Sequence, residues 1–321
     1  MSALRGWYPL RPWSVAVGSW VLLWSALRLA VPTEATSSWL ALIVVVAPVS
    51  AVAAGSSVAG AEAWALGRGA RFSSPWNQLL WRHLTRTRVA RTFGVTAGFG
   101  AQLLANAVYN AGGGEALRWW PELAGSVGGY WMAALGYVVA SLWAERTKPH
   151  VEPGRGAGTA MLTPRRLADY LDPNVGFALG LFALVMVGTV TTWSLVPMPV
   201  SSIGVDPEWV GVLAPGVLVV IALLGAGWTA RRTERAGDGA ALAYEELTRA
   251  ASVNALVGAA IAMLGELMVS IASLPRDGQQ VSGWILLVPG LMSLLGVVIW
   301  IGCGTKLVFR SRRIDTLRAA S

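Results

Sequence analysis

The sequence predicts an all-α membrane protein of eight transmembrane helices, and three observations predict it. The chain of 321 residues is 55% hydrophobic and only 13% charged, too apolar for an ordinary soluble domain. Eight apolar stretches are each long enough for a helix to cross a hydrocarbon core about 30 Å thick. Basic charge then alternates between successive gaps. Of the 25 Lys and Arg residues, Arg28 lies inside a stretch and only Arg118 and Arg276 fall in one set of loops. The other 22 occupy the opposite set and the two termini. Positive loops are retained on the cytoplasmic side, so both termini are expected there, in a bacterial plasma (inner) membrane.

The predicted spans are 14–31, 39–62, 93–111, 123–144, 175–196, 209–230, 251–273 and 284–305. Arg5 and Arg11 precede the first, but Val31-Pro32-Thr33-Glu34 offers no small-residue cleavage site, so it is read as an uncleaved helix. Arg28 can snorkel to the outer headgroups. The outer loops 32–38, 112–122, 197–208 and 274–283 are short and hold Trp119, Trp120, Pro121, Pro197 and Pro199, which suit an interface. Pro48, Pro215 and Pro289 interrupt spans two, six and eight, where proline frees a carbonyl and bends the axis.

The inner loops are longer. Residues 63–92 carry six arginines, and Trp76, Leu79, Leu80, His83, Leu84 and Thr87 recur there at helical spacing, with Arg82 and Arg86 on another face. Two readings follow: an interfacial helix on the inner leaflet, or a helix whose Trp76, Leu80, Arg82, Leu84 and Arg86 dock a cytoplasmic partner. Ala240 to Arg249 is a weaker counterpart, and Glu62 sits where it can meet the inner-loop arginines. The Gly- and Pro-rich segment 148–163 reads as a linker between a first half, 1–147, and a second, 164–321.

The halves resemble each other. Leu84-Thr85-Arg86 matches Leu247-Thr248-Arg249, Ala47-Pro48 matches Ala214-Pro215, and Leu135-Gly136 matches Leu295-Gly296. Four spans return the chain to its starting side, so a duplication gives two parallel four-helix repeats. An offset of 164 aligns Gly94, Gly98, Gln102 and Asn106 with Gly258, Ala262, Glu266 and Ser270. With Asn110 and Asn254 these positions recur every fourth residue, so spans three and seven each carry a narrow small-and-polar ridge. Such a ridge is either a helix-packing seam or the lining of a polar pathway. Glu266 is the acidic residue deepest in a span, where a carboxylate either hydrogen-bonds inside the bundle or takes up a proton.

Enzyme signatures are missing, so no catalytic residue is expected. His83 and His150 are the only histidines, and both fall in inner loops, which excludes a histidine metal cluster within the membrane. Gly302-Cys303-Gly304-Thr305-Lys306 lacks the spacing of a phosphate-binding loop. No cofactor is expected. The single cysteine excludes an internal disulfide. The net charge of +8 lies beside spans rather than in a separate basic domain, which points to anionic lipid and not to nucleic acid.

The second span running into Glu62-Ala63-Trp64, the arginine-rich helix before span three and the short outer loops give a further reading. In these the chain resembles permease subunits of ABC exporters from high-GC actinobacteria, although eight spans depart from the six usual there. The resemblance covers about a third of the chain, implies a separate cytoplasmic ATP-binding subunit, and carries no functional residue across. The alternative is a non-transporting scaffold, assembly factor or regulator that binds other membrane proteins through Gly94-x-x-x-Gly98, Gly125-x-x-x-Gly129 and Gly176-x-x-x-Gly180 in a homo- or hetero-oligomer.

Overall fold

The computed structural model describes residues 57–110, 131–148, 165–194, 208–232, 239–272 and 283–304, and every regular element among them is a helix. Spans 14–31 and most of 39–62, the outer loops and the linker beyond Lys148 lie outside the described residues.

Helix α1 (Val58–Leu66) starts where the Ser57 side chain accepts a hydrogen bond from the Gly60 amide at 3.0 Å. It ends in a tight turn in which Gly69, at φ 80°, takes the left-handed conformation that glycine tolerates best. Helix α2 (Ser74–Asn110) carries proline at its second residue, where no intrahelical donor is lost. Helix α3 (Trp131–Arg146) follows. The single turn α4 (Leu167–Tyr170) is closed by the Arg166 amide donating to Asp169 Oδ2 at 2.8 Å. Helix α5 (Pro173–Ser194) begins on proline, with the Asn174 amide donating to Asp172 Oδ1 at 2.8 Å. Helices α6 (Glu208–Arg231), α7 (Gly239–Ala272) and α8 (Gly283–Gly304) complete the set, with Pro215 inside α6 and Pro289 inside α8.

Among the described residues, three segments are long and apolar enough to cross a membrane: Pro173–Thr192, Val212–Arg231 and Ala240–Ala272. Their boundaries fall close to the predicted fifth and sixth spans and enclose the seventh but for its last residue. The helical stretch predicted ahead of span three and its counterpart ahead of span seven are continuous with the spans themselves. Residues 74–110 form one helix of 37 residues, and 239–272 one of 34. Neither stretch has a proline or glycine between its first turn and its membrane part, so nothing stops propagation once the helix has started.

Helix α7 is the axis of the bundle. It packs against α8, α6, α5 and α3, while α2 lies mainly on α3 and α1 lies on α2. The unbroken run Ser252–Glu266 is buried on all sides, which is why α7 shows no polar face along its apolar length. Its neighbours are one-sided. Phe177, Leu184 and Val187 of α5, Leu213 and Leu224 of α6, and Leu291 and Leu294 of α8 are exposed, forming apolar surfaces that suit lipid contact.

Glycine lets two pairs of helices approach backbone to backbone. A Cβ on Gly94 would strike the Gly136 carbonyl, and one on Gly98 the Met132 carbonyl, so α2 and α3 meet backbone to backbone. In the second hairpin a Cβ on Gly265 would lie 2.7 Å from Ser293 Cα, one on Gly258 2.8 Å from Cys303 Cβ, and one on Gly296 3.0 Å from Ala262 Cα. The aligned ridge positions Gly94 and Gly258 thus both serve as seams between a long helix and the helix that follows.

Candidate functional site

A buried polar junction sits at the arginine-rich end of the bundle, where α3, α4 and α6 converge on the first four turns of α7. Helix α7 supplies Glu245, Glu246, Thr248, Arg249, Ser252 and Asn254, a run that spreads around the helix and so reaches several neighbours at once. The Lys148 ammonium, just past α3, lies 2.5 Å from Glu245 Oε2 and 2.6 Å from Thr248 Oγ1, with the Tyr244 ring 5.1 Å away. Glu145, at the last turn of α3, accepts from the Ser252 hydroxyl. Arg91 of α2 donates to Ser141 Oγ at 3.0 Å and reaches Ser252 Oγ at 3.5 Å, tying all three long elements together.

The opposite side of α7 is built around α4. Arg165 pairs with Glu246 at 3.2 Å, and Arg249 donates to the Tyr170 hydroxyl at 3.1 Å. Asn254 fixes the joint between α4 and α5: its Nδ2 donates to the Tyr170 carbonyl at 2.8 Å, and its Oδ1 accepts from the Asp172 amide at 3.0 Å. Carbonyls at helix ends are also taken. Arg249 and Arg165 both donate to the Arg232 carbonyl, Arg232 to the Glu145 carbonyl, and Arg86 to the Thr147 carbonyl. Each of these carbonyls lies at or just past a helix C-terminus, where the backbone lacks intrahelical donors and carries partial negative charge.

Burial governs the titration of the groups around the junction. The His83 imidazole is pushed well below its ordinary range, first by desolvation and then by Lys148, Arg91 and Arg86. Burial also raises the Tyr170 phenol, opposed by Arg249, and brings Arg68 down to about 9 with help from Arg88. The carboxylates set among these cations are Glu145, which accepts from Ser252, Glu245, paired with Lys148, and Glu246, paired with Arg165. Among the described residues no group of His, Cys, Asp and Glu could hold a metal ion. The chemistry of the junction is that of a clamp, in which charged groups are held in place by hydrogen bonds.

The residues singled out by sequence scatter across this frame. Gln102 is buried in α2, and Asn106 and Asn110 continue the same helix. Asn254 belongs to the junction, whereas Glu266 and Ser270 are buried three and four turns further along α7. The ridge of span seven is thus divided: Asn254 pins a neighbouring loop, and Gly258 and Ala262 meet α8. Of the docking-helix residues, Leu80 is fully buried, Trp76 meets Tyr244 in a tilted ring contact with centroids 5.8 Å apart, and Arg86 donates to Thr147. Leu84 packs on the same cluster, while Arg82 is exposed.

Sequence reasoning passed over Glu145, Lys148, Arg165, Tyr170, Glu245 and Glu246. Their signal was the mixture of both charge signs at the same end of neighbouring spans, which a count of basic residues alone does not register. Comparison with protein-family models, curated proteins and solved structures finds no match to this chain.

Proposed function

We propose that the chain is an integral membrane subunit of permease type that works with a separate cytoplasmic ATP-binding subunit. In this reading eight spans form two parallel sets of four in a bacterial plasma membrane, both termini are cytoplasmic, and the polar junction lies on the cytoplasmic side. The observation that carries it is the continuity of α2 and α7. Each runs unbroken from the arginine-rich end into the apolar bundle, and Arg91, Ser252 and Glu145 bind the two together where the apolar part begins. A displacement applied at that end by a partner passes along rigid helices to the centre of the bundle.

The test is copurification after mild detergent extraction. A nucleotide-binding protein should accompany the chain, and reversing the exposed Arg71 and Arg82 to Glu should release it while the chain stays folded. Recovery of the chain with no such protein, or a complex indifferent to both reversals, overturns the reading.

The close packing around α7 favours a second reading, a scaffold or assembly factor. Glu266→Gln separates the two. Lost transport in a stably assembled protein supports a pathway through the bundle, and lost assembly with unchanged transport supports packing alone.

A further inference from the structure

We propose that the exposed face of α2 is the seat of the chain's own second apolar stretch, residues 39–56, which docks there as α6 docks on α7. These residues lie outside the described part of the chain, and the proposal rests on three observations within it.

The first is a mismatch between aligned faces. On α7, positions 253, 257, 260, 264, 267 and 271 recur at helical spacing and form one face. Leu267 and Ile271 pack there with Val212 of α6 and Met186 of α5, and a Cβ on Gly216 of α6 would lie 3.9 Å from Leu267. Val253 and Val257 are fully buried and Leu264 is 9% exposed. The offset of 164 carries this face to positions 89, 93, 96, 100, 103 and 107 of α2. There Phe93 is 62% exposed where Val257 is fully buried, and a Cβ on Gly100 would meet no described residue within 4 Å.

The second is that both hairpins are built alike on the other side of the long helix. Gly94 and Gly98 close α2 onto α3, as Gly258 and Gly265 close α7 onto α8. The long helices share their seam, so their remaining faces call for the same kind of neighbour. For α7 that neighbour is the pair of apolar helices preceding it, α5 and α6.

The third is chain continuity. Residues 39–56 run directly into Ser57 and α1, and α1 packs on α2. Ala47-Pro48 stands 167 residues before Ala214-Pro215 of α6, and Pro215 is buried next to Gly216. Carrying the α6 contacts back by the same offset places Val45, Val49 and Val52 where α6 has Val212, Gly216 and Val219.

The experiment is disulfide cross-linking in the full chain. Cys303→Ser removes the one cysteine. Val45, Val49 and Val52 are then changed to Cys one at a time, each paired with Phe93→Cys or Leu103→Cys, giving six double variants. After mild oxidation in lipid nanodiscs, at least one pair should link in more than half of the molecules. Mass spectrometry should find the linked peptides within single chains, and two differently tagged copies expressed together should not join. Links confined to joined copies overturn the proposal in favour of a second copy of the chain. Absence of any intrachain link across all six pairs overturns it as well. A spin label on Phe93→Cys then tells lipid contact, by high oxygen accessibility, from a protein neighbour.

Discussion

The Lys148 ammonium, the last described group after α3, is held 2.5 Å from the Glu245 carboxylate on the second turn of α7, with side chains only 5% and 16% exposed. The contact joins segments 97 residues apart in sequence, and a third partner, Thr248, fixes its geometry. Removing one member strands the other charge in a poorly solvated site. Lys148→Ala should cost about 2–3 kcal/mol, somewhat below the usual range for a buried pair because Glu245 keeps some contact with solvent. A double-mutant cycle with Glu245→Ala, read by unfolding in detergent micelles, should give a coupling energy above about 1 kcal/mol. Additive losses would show that the pair contributes nothing as a pair.

Asn254 makes a sharper case, because its side chain bonds backbone groups on both sides of the joint between α4 and α5. Asn254→Ala leaves the Asp172 amide and the Tyr170 carbonyl buried without that partner, at a cost of about 2–4 kcal/mol for the two. Asn254→Asp keeps the acceptor, loses both donated bonds and sets a second carboxylate beside Asp172, so it should not rescue. The prediction fails if either variant unfolds within about 0.5 kcal/mol of the parent.

The glycine seam can be probed by adding a single methyl. Gly94→Ala places its Cβ on the Gly136 carbonyl, and the backbone must give way because no flexible side chain is there to move. A loss near 3 kcal/mol, the upper end for overpacking, is expected. Gly188→Ala on α5 meets open space and should be neutral or slightly stabilising. Comparable losses at both positions would remove the seam as the explanation.

His83 gives the chain a dependence on pH. Its folded pKa lies well below 6.5 while the unfolded chain titrates near that value. Below pH about 6.5 the unfolded state therefore binds more protons. The stability that neutral His83 provides is complete above that pH and falls as pH drops, by at most about 1.4 kcal/mol per unit. Thermal unfolding followed between pH 7.5 and 5 should show this decline, and His83→Phe should flatten it. A slope unchanged in the variant would assign the effect to the carboxylates instead.

The apolar helices were legible because a span announces itself by length and composition alone. Helices α5, α6 and α8 end within a few residues of the predicted boundaries, and Pro215 and Pro289 did not stop theirs. The long helices were cut too short for a physical reason: charge marked where the membrane part begins, so the helical stretch with Arg86 and its counterpart ending at Arg249 were kept apart from the spans that follow, although arginine is a good helix former. The ridge on span seven was seen as one feature, yet sequence spacing does not tell which neighbour a residue meets. Asn254 and Gly258 lie one turn apart and serve different partners. The junction itself was least visible, since Glu145, Lys148 and Glu245 gain meaning only when three separate segments are brought together.

The length of α2 also sets a mechanical ratio. Its seam at Gly94 lies 20 residues from its start at Ser74, a span of about 30 Å at the rise of an α-helix. Pivoting by about 10° at that seam carries the arginine-rich tip through roughly 5 Å, while atoms near the glycine hardly move. A pivot there would thus exchange amplitude at one end for force at the other, with the glycine contact as its fulcrum.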